Sequence, residues 1–298
     1  MKTLYVSDLD GTLLNREPRL SAYTAETLNL LIEEGLPFTY ATARSVHSAR
    51  IVAAGLQTRL PVITYNGVFL QDAQTGKVLS RTVFSPEEVE NLAGYLSRHP
   101  VSALAYALLD GEERVSWLPE RENEGVRYYL SCRKGDKRFR AVSAEPALYQ
   151  GEVFYITCIG EQDALSPLYN AVRGDTRFSV TFQQELYREE YWLEIMPARA
   201  TKAHGIRKLC ALLGFDRVVS FGDAINDLRM FECSDECYAV ENAVPELKAA
   251  ATGVIKSNEA DGVAQWLAGN WRAQKSERQL RDGIISASGN RKGSPPGL

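Results

Sequence analysis

The sequence is poor in the soft ligands and crosslinks that small secreted proteins and zinc modules rely on. Of its 298 residues only three are histidine, and the five cysteines are an odd number. Cys132, Cys158, Cys210, Cys233 and Cys237 are mostly scattered, which fits a reducing cytosol rather than a disulfide framework. Cys233 and Cys237 alone are close, at the four-residue spacing of one helix face, and none of His47, His99 or His204 is near them in sequence. Two thiols do not complete a zinc site, so ordinary thiols in a helix and a loop are expected. No apolar run approaches the roughly 18 residues that a membrane span needs, because charges interrupt every hydrophobic segment. The first carboxylate, Asp8, comes too soon to leave room for the apolar stretch of a signal peptide. Export is therefore not expected, and a cytoplasmic location is.

An excess of basic charge is also missing. Lys plus Arg number 34 against 38 Asp plus Glu, a net charge of -4, so no global field gathers phosphate backbones or anionic lipid. Neither nucleic acid nor a membrane is expected as a partner. What is present is ordinary for a packed globular chain: 45% apolar and 24% charged residues, in a length that suggests about two domains of roughly 150 residues each. Oligomeric state is not legible, and a monomer is compatible with the sequence.

The first third alternates strand and helix signals. Leu4-Tyr5-Val6 reads as a buried strand, and Leu28, Leu31 and Ile32 follow at helical spacing between a Ser21 cap and a Gly35 stop. Phe38-Thr39-Tyr40 reads as a second strand, 45–54 as a helix and Pro61-Val62-Ile63-Thr64-Tyr65 as a third strand. This rhythm predicts a Rossmann-like α/β core, a parallel sheet with helices on both faces and its chemistry at the carboxyl ends of the strands. Asn66-Gly67 is a turn dipeptide, and Val68-Phe69-Leu70 with Val78-Leu79 reads as hairpin strands. Ser85-Pro86-Glu87-Glu88 has the residues of a capped helix start. From there to about Glu194 the segments carry more charge and lose the glycine-punctuated crossovers; strands at 101–108, 153–158 and 178–182 are interleaved with helices. The expected division is an α/β core of 1–83 and 196–272, an inserted α+β cap domain of 84–195, and a polar, mobile tail of 273–298. The core resumes with a helix from Lys202 to Leu213, stopped by Gly214, and a strand Val218-Val219-Ser220-Phe221.

Four elements carry chemistry. Asp8-Leu9-Asp10-Gly11-Thr12-Leu13-Leu14 follows the first strand, placing two carboxylates where one cation could satisfy both, though Asp and Gly are also common turn residues. Ala41-Thr42-Ala43-Arg44-Ser45 ends the second strand and could hold a phosphate oxygen or merely cap a helix. Lys202 starts a helix, where its charge opposes the helix dipole unless an anion is near. Gly222-Asp223-Ala224-Ile225-Asn226-Asp227 places Asp223 as a further oxygen ligand for a hard cation such as magnesium, with an N-cap as the plainer reading.

In this order the four elements resemble the haloacid dehalogenase superfamily of phosphohydrolases, specifically the Cof-type phosphatases of subclass IIB. The resemblance runs from Lys2 to about Leu267, helped by Tyr65-Asn66-Gly67, by Leu193-Glu194-Ile195-Met196-Pro197 and by Glu241-Asn242-Ala243. The chain departs from the family at Ala43, where glycine is usual, and at Ala200-Thr201 before the lysine. The resemblance implies a Mg2+-dependent phosphoric monoester hydrolase acting on small phosphorylated metabolites, with sugar phosphates foremost. Asp8 would be the nucleophile that forms an aspartyl-phosphate, and Asp10 the acid and base. The Leu9 N–H, Thr42 with the Ala43 N–H, Lys202 and Asn226 would hold the phosphoryl oxygens. Asp8, Asp223 and the main-chain carbonyl of Asp10 would bind the metal, with Asp227 behind them or orienting Lys202. Tyr128, Tyr129 and Arg133 are candidate substrate contacts by type alone. A phosphomutase of the same superfamily and a non-catalytic phosphometabolite-binding regulator are the alternatives. A P-type pump is excluded by the lack of membrane segments and by Asp10, where pumps have lysine.

Overall fold

A computed structural model of the chain describes residues 2–184 and 188–273. It divides into two compact units interleaved in sequence, one of Met1–Asn66, Leu70–Leu79 and the chain from Ile206 onward, the other of Gly67–Phe69 and Ser80–Gly205.

The first unit is built on a five-stranded sheet in the order Gly253–Ile255, Glu236–Val240, Arg217–Gly222, Thr3–Ser7, Phe38–Tyr40, every adjacent pair parallel. A parallel bridge from Ala41 to Ile63 leads on to Val62–Thr64. The run Thr3–Ser7 is buried at every position, as a central parallel strand covered on both faces must be. The helix Ala22–Glu33 starts where the Ser21 side chain accepts the Thr24 N–H at 3.0 Å, and it puts Leu28, Leu31 and Ile32 into one buried cluster with Leu4, Val6 and Phe38. Ile206, Leu209 and Leu247 join the same cluster, as do Val263, Leu267 and Trp271 from the helical residues 262–273. The α/β core expected from the strand and helix rhythm is present.

Two details differ from expectation. The helix read over 45–54 is the shorter Val46–Val52, because Ser45 is its cap and the turn at Gly55 (φ +95°) follows three residues after it. Cys233 and Cys237 do not share a helix face: Cys233 ends the short helix Leu228–Glu232, while Cys237 is buried in the strand Glu236–Val240. Beyond residue 273 the expected tail lies outside the described residues.

The second unit holds a six-stranded sheet in the order Phe178–Gln184, Tyr191–Pro197, Glu152–Gly160, Ala103–Leu109, Glu112–Trp117, Phe139–Ala141. Its pairs are antiparallel except the last, which is parallel. The helices Pro86–Arg98 and Gln162–Val172 contribute Leu92, Leu96, Leu165, Leu168 and Val172 to a cluster with Ala105, Ala107, Ile156, Cys158, Leu193 and Ile195. Burial there pushes the Cys158 thiol up to about 12, which leaves it an inert packing group. The predicted cap of the first helix forms as a reciprocal pair, Ser85 accepting the Glu88 N–H at 3.2 Å and Glu88 accepting the Ser85 N–H at 2.7 Å. A separate three-stranded sheet takes Val62–Thr64, Phe69–Gln71 and Val78–Arg81 in that order. Among the described residues no helix is long and apolar enough to cross a membrane.

Candidate active site

Thr3–Ser7 and Arg217–Gly222 run side by side in parallel register, Ser7 opposite Phe221, so Asp8 and Asp223 emerge together at the same edge of the sheet. The Asp8 N–H donates to the Phe221 carbonyl at 2.9 Å, which fixes its backbone to the neighbouring strand. Carboxylate oxygens of Asp8, Asp223 and Asp227 all lie within 4.8 Å of one another. Asp8 is 5% exposed and Asp227 fully buried. Three carboxylates this close repel, and a hard cation is the partner that oxygen-only donors suit best, so the donor set fits magnesium or a similar ion. The sequence points to Asp8, Asp10 and Asp223 as metal ligands; the structure adds the Asp227 carboxylate to the cluster.

The loop that carries Asp223 is templated by Asp227, whose Oδ2 accepts the N–H groups of Asp223 at 3.0 Å and Ala224 at 3.2 Å. Gly222 makes this possible, since a Cβ there would stand 2.7 Å from that same oxygen. On the facing loop the Leu9 carbonyl accepts from Leu13 and Leu14 at 3.0 and 2.8 Å, closing a tight turn. Thr12 donates its hydroxyl to Asp223 Oδ1 at 2.9 Å, and Asn242 donates to the Gly11 carbonyl at 2.7 Å. Among the described residues neither the Leu9 N–H nor the Ala43 N–H donates to another group of the chain, which leaves both for an anion. A cleft of about 320 Å3 lined by Asp10, Gly11, Asn15, Arg16, Asn242 and Asn258 opens beside this loop.

The Asp10 carboxylate is not in the cluster. Arg44 grips it with two bonds, Nε to Oδ2 at 2.7 Å and Nη2 to Oδ1 at 2.6 Å, while Nη1 donates to Ser48 Oγ at 3.0 Å. That hydrogen-bonded carboxylate, with the field of Asp8 added, holds the guanidinium above its already high pKa against the opposing effect of burial. No local sequence pattern marks Arg44 for this task, since its partner is 34 residues away. Thr42 is fully buried at the end of the second strand and accepts the Arg44 N–H at 3.1 Å. It does not cap the following helix, because Ser45 does that by accepting the Ser48 N–H at 3.2 Å. Asn226 is exposed and donates to Asn66 Oδ1 at 3.3 Å, and the Asn66 N–H donates to the Thr42 carbonyl at 2.9 Å. Tyr65 and Asn66 both hold left-handed backbone conformations, φ 48° and 51°, a strain that non-glycine residues adopt only where the surroundings demand it.

Lys202 belongs to the second unit by its contacts; it is 1% exposed and is the first residue of the helix Lys202–Leu213. Tyr128, Tyr129 and Arg133 are engaged within that unit. Tyr129 shares a hydroxyl bond of 2.8 Å with Tyr106 and carries the Arg133 guanidinium over its ring at 3.9 Å, and Arg188 lies 4.0 Å over the Tyr128 ring.

Gly11 gives a sharp test of the cluster's packing. Its φ is +74°, and a Cβ would fall 2.2 Å from Asp223 Oδ2. Gly11→Ala is expected to weaken divalent-cation affinity about 10–100-fold, the usual cost of disturbing groups that orient metal ligands. Gly214 (φ +67°) has nothing near its would-be Cβ, so Gly214→Ala carries the backbone cost alone and should leave the cation titration unchanged. Equal cation dependence in both variants would show that Asp223 has room to move.

The chain matches the haloacid dehalogenase-like hydrolase family over residues 5–267. It is similar to 5-amino-6-(5-phospho-D-ribitylamino)uracil phosphatase YwtE of Bacillus subtilis, 26% identical over 87% of this chain and 95% of the relative. Among solved structures it resembles TM0651 of Thermotoga maritima, with 24% identity, a TM-score of 0.72, and coverage of 89% of this chain and 96% of that one. The subclass IIB sugar phosphatase BT4131 has the same fold at 19% identity and a TM-score of 0.65, with 90% of this chain and 98% of that one aligned. With a match that spans both the Asp8 loop and the Asp223 loop, the chain belongs to the haloacid dehalogenase-like hydrolases.

Proposed function

We propose that this hydrolase is a cytoplasmic phosphatase of small phosphorylated metabolites, sugar phosphates foremost, working through a phosphoryl group transferred to Asp8. The observation that carries the reading is the cluster of Asp8, Asp223 and Asp227 at the ends of two adjacent strands, with a second carboxylate, Asp10, on the same loop. A magnesium ion held by Asp8, Asp223 and the Asp10 carbonyl would neutralise charge between the Asp8 carboxylate and an incoming phosphate. The chain's own groups do the rest. Asp8 attacks phosphorus, its backbone anchored on Phe221 so that the carboxylate is aimed before substrate arrives. Asp10 delivers a proton to the leaving alcohol and then takes one from water, with Arg44 setting the orientation of its carboxylate. The Leu9 and Ala43 N–H groups and the Thr42 hydroxyl, with Asn226, receive phosphoryl oxygens, and Asp227 keeps Asp223 in place through the loop backbone. For Lys202 as a further phosphate ligand, and for the residues of 84–195 as the cap that sets substrate range, the support is the sequence resemblance. The cytoplasmic assignment is supported by five free cysteines.

The test is release of inorganic phosphate from a panel of sugar, nucleotide and cofactor phosphates. The panel includes 5-amino-6-(5-phospho-D-ribitylamino)uracil, the compound in the name of the Bacillus relative. Turnover with magnesium that is lost in excess EDTA and returns on adding the metal is the expected outcome, because the carboxylates would otherwise repel the substrate's phosphate. Full turnover in EDTA, or none on any member of the panel, would overturn the reading.

A further inference from the structure

The first unit contains a second concavity, of about 520 Å3, that none of Asp8, Asp10, Thr42, Asp223 or Asn226 lines. Its walls come from the end of the strand Phe38–Tyr40, from Arg50 on the helix Val46–Val52, from the segment 53–59 that follows it, and from Ala73 and Gln74. The segment is clamped from outside. Asn29 donates to the Gly55 carbonyl at 2.7 Å and accepts the Gln57 N–H at 2.8 Å, so the wall is formed before any ligand arrives.

Four polar side chains meet at this cavity with hydrogen-bonding capacity unused. Thr58 is 7% exposed, yet its Oγ1 has no hydrogen-bond partner, a state that buried hydroxyls rarely tolerate. Tyr40 is 4% exposed, and among the described residues its hydroxyl makes no hydrogen bond. Burial raises that phenol to about 12, against the opposing pull of Arg50, so it stays an O–H donor. Arg50 gives Nε and Nη2 to the Ala73 carbonyl at 3.0 and 2.9 Å, which leaves Nη1. The carboxylate in its field, Asp72, is already taken by the N–H groups of Gln74 and Thr75 and by the Thr75 hydroxyl. Arg59 is exposed and has no ion-pair partner among the described residues. Two guanidinium groups and two hydroxyls around one preformed hollow are the complement of a small oxyanion.

The geometry points to a second ligand site, a pocket of Tyr40, Arg50, Thr58 and Arg59 for a small metabolite bearing a carboxylate or phosphate group, separate from the carboxylate-lined active site. Its position gives it a purpose. Tyr40 precedes Thr42 by two residues, and the helix bearing Arg50 follows Arg44 directly after its Ser45 cap, so a ligand here loads both elements that flank the grip on Asp10.

Calorimetric titration of the full chain with inorganic phosphate and, separately, malonate tests the site. It is done in EDTA, so that no active-site cation draws the anion, and variants of Arg59 and Tyr40, which line this cavity, set its binding apart from any at the active site. Saturable binding of at least one anion is expected, weakened about tenfold or more by Arg59→Gln and by Tyr40→Phe, as loss of a charge-assisted or buried bond requires. Binding of phosphate alone or malonate alone identifies the group recognised. Thr58→Val should bind more weakly while melting no lower than the parent, because valine removes a hydroxyl that the empty pocket leaves unsatisfied. No saturable binding of either anion, or binding that Arg59→Gln and Tyr40→Phe leave unchanged, would overturn the proposal. Both readouts are independent of turnover, so they stand apart from the outcome of the phosphatase assay.

Discussion

Asp8→Asn is expected to lose at least about 10⁴-fold in turnover, in line with removal of a covalent nucleophile, and yet to stay folded. The amide is nearly isosteric, and the backbone bond from Asp8 to Phe221 is untouched, so circular dichroism of the variant should match that of the parent. Divalent-cation affinity should fall as well, because the cluster loses one of its three carboxylates. Mass spectrometry of the peptide containing Asp8 should find no phosphoryl group. Near-normal turnover by this variant would remove the aspartyl-phosphate mechanism outright.

Asp10→Asn should fail differently. Asparagine keeps the main-chain carbonyl and one side-chain oxygen for Arg44, so one of the two short bonds can persist and the loop should keep its shape. Asp8 can then still attack a substrate with a good leaving group. What is missing is the group that activates water, so the phosphorylated form should accumulate and break down slowly, with steady-state turnover reduced on the order of 10² to 10⁴. Rapid mixing with a phenyl phosphate should give a burst of phenolate followed by a slow phase, and the mass of the Asp8 peptide should rise by one phosphoryl group. A variant that loses turnover with no burst and no phosphorylated peptide would assign Asp10 to binding instead. Since Arg44 orients Asp10, Arg44→Lys, which cannot make the two-pronged grip, should give a milder version of the same behaviour.

The parallel core was readable because its punctuation is local. Each of Thr3–Ser7, Phe38–Tyr40, Val62–Thr64 and Arg217–Gly222 is a short apolar run bounded by turn or cap residues, and Ser21, Ser45 and Ser85 each cap the helix expected after them. The family was readable for the same reason, as its motifs sit on those strand ends. The strand order of the second unit was not. Glu112–Trp117 opens on three charged residues and joins the sheet by pairing with Ala103–Leu109, and its parallel partner Phe139–Ala141 is three residues long with no buried position. Pairing of that kind is decided by neighbours far along the chain, which no local pattern encodes. In the site, the Asp8 and Asp223 loops could be seen, but the links between loops could not. Thr12 with Asp223, Asn66 with Asn226, Asn242 with Gly11 and Arg44 with Asp10 are all long-range bonds between residues that look like ordinary turn formers or solvated charges.

The pairing of Thr3–Ser7 with Arg217–Gly222 has a consequence for how the chain is made. These neighbours in the sheet are separated by more than 200 residues, and every strand of Ala103–Leu109 through Tyr191–Pro197 is synthesised between them. On a ribosome the first strand emerges with one flank, toward Phe38–Tyr40, already within reach, while the other waits for a partner not yet translated. Asp8 hangs from the early strand and Asp223 from the late one. On the proposed mechanism, a nascent or truncated chain that stops short of Asp223 would carry the nucleophile without the second carboxylate that gathers the cation. Activity would then wait until the Asp223 loop is translated, and fragments left by earlier termination would be expected to consume no phosphorylated metabolite.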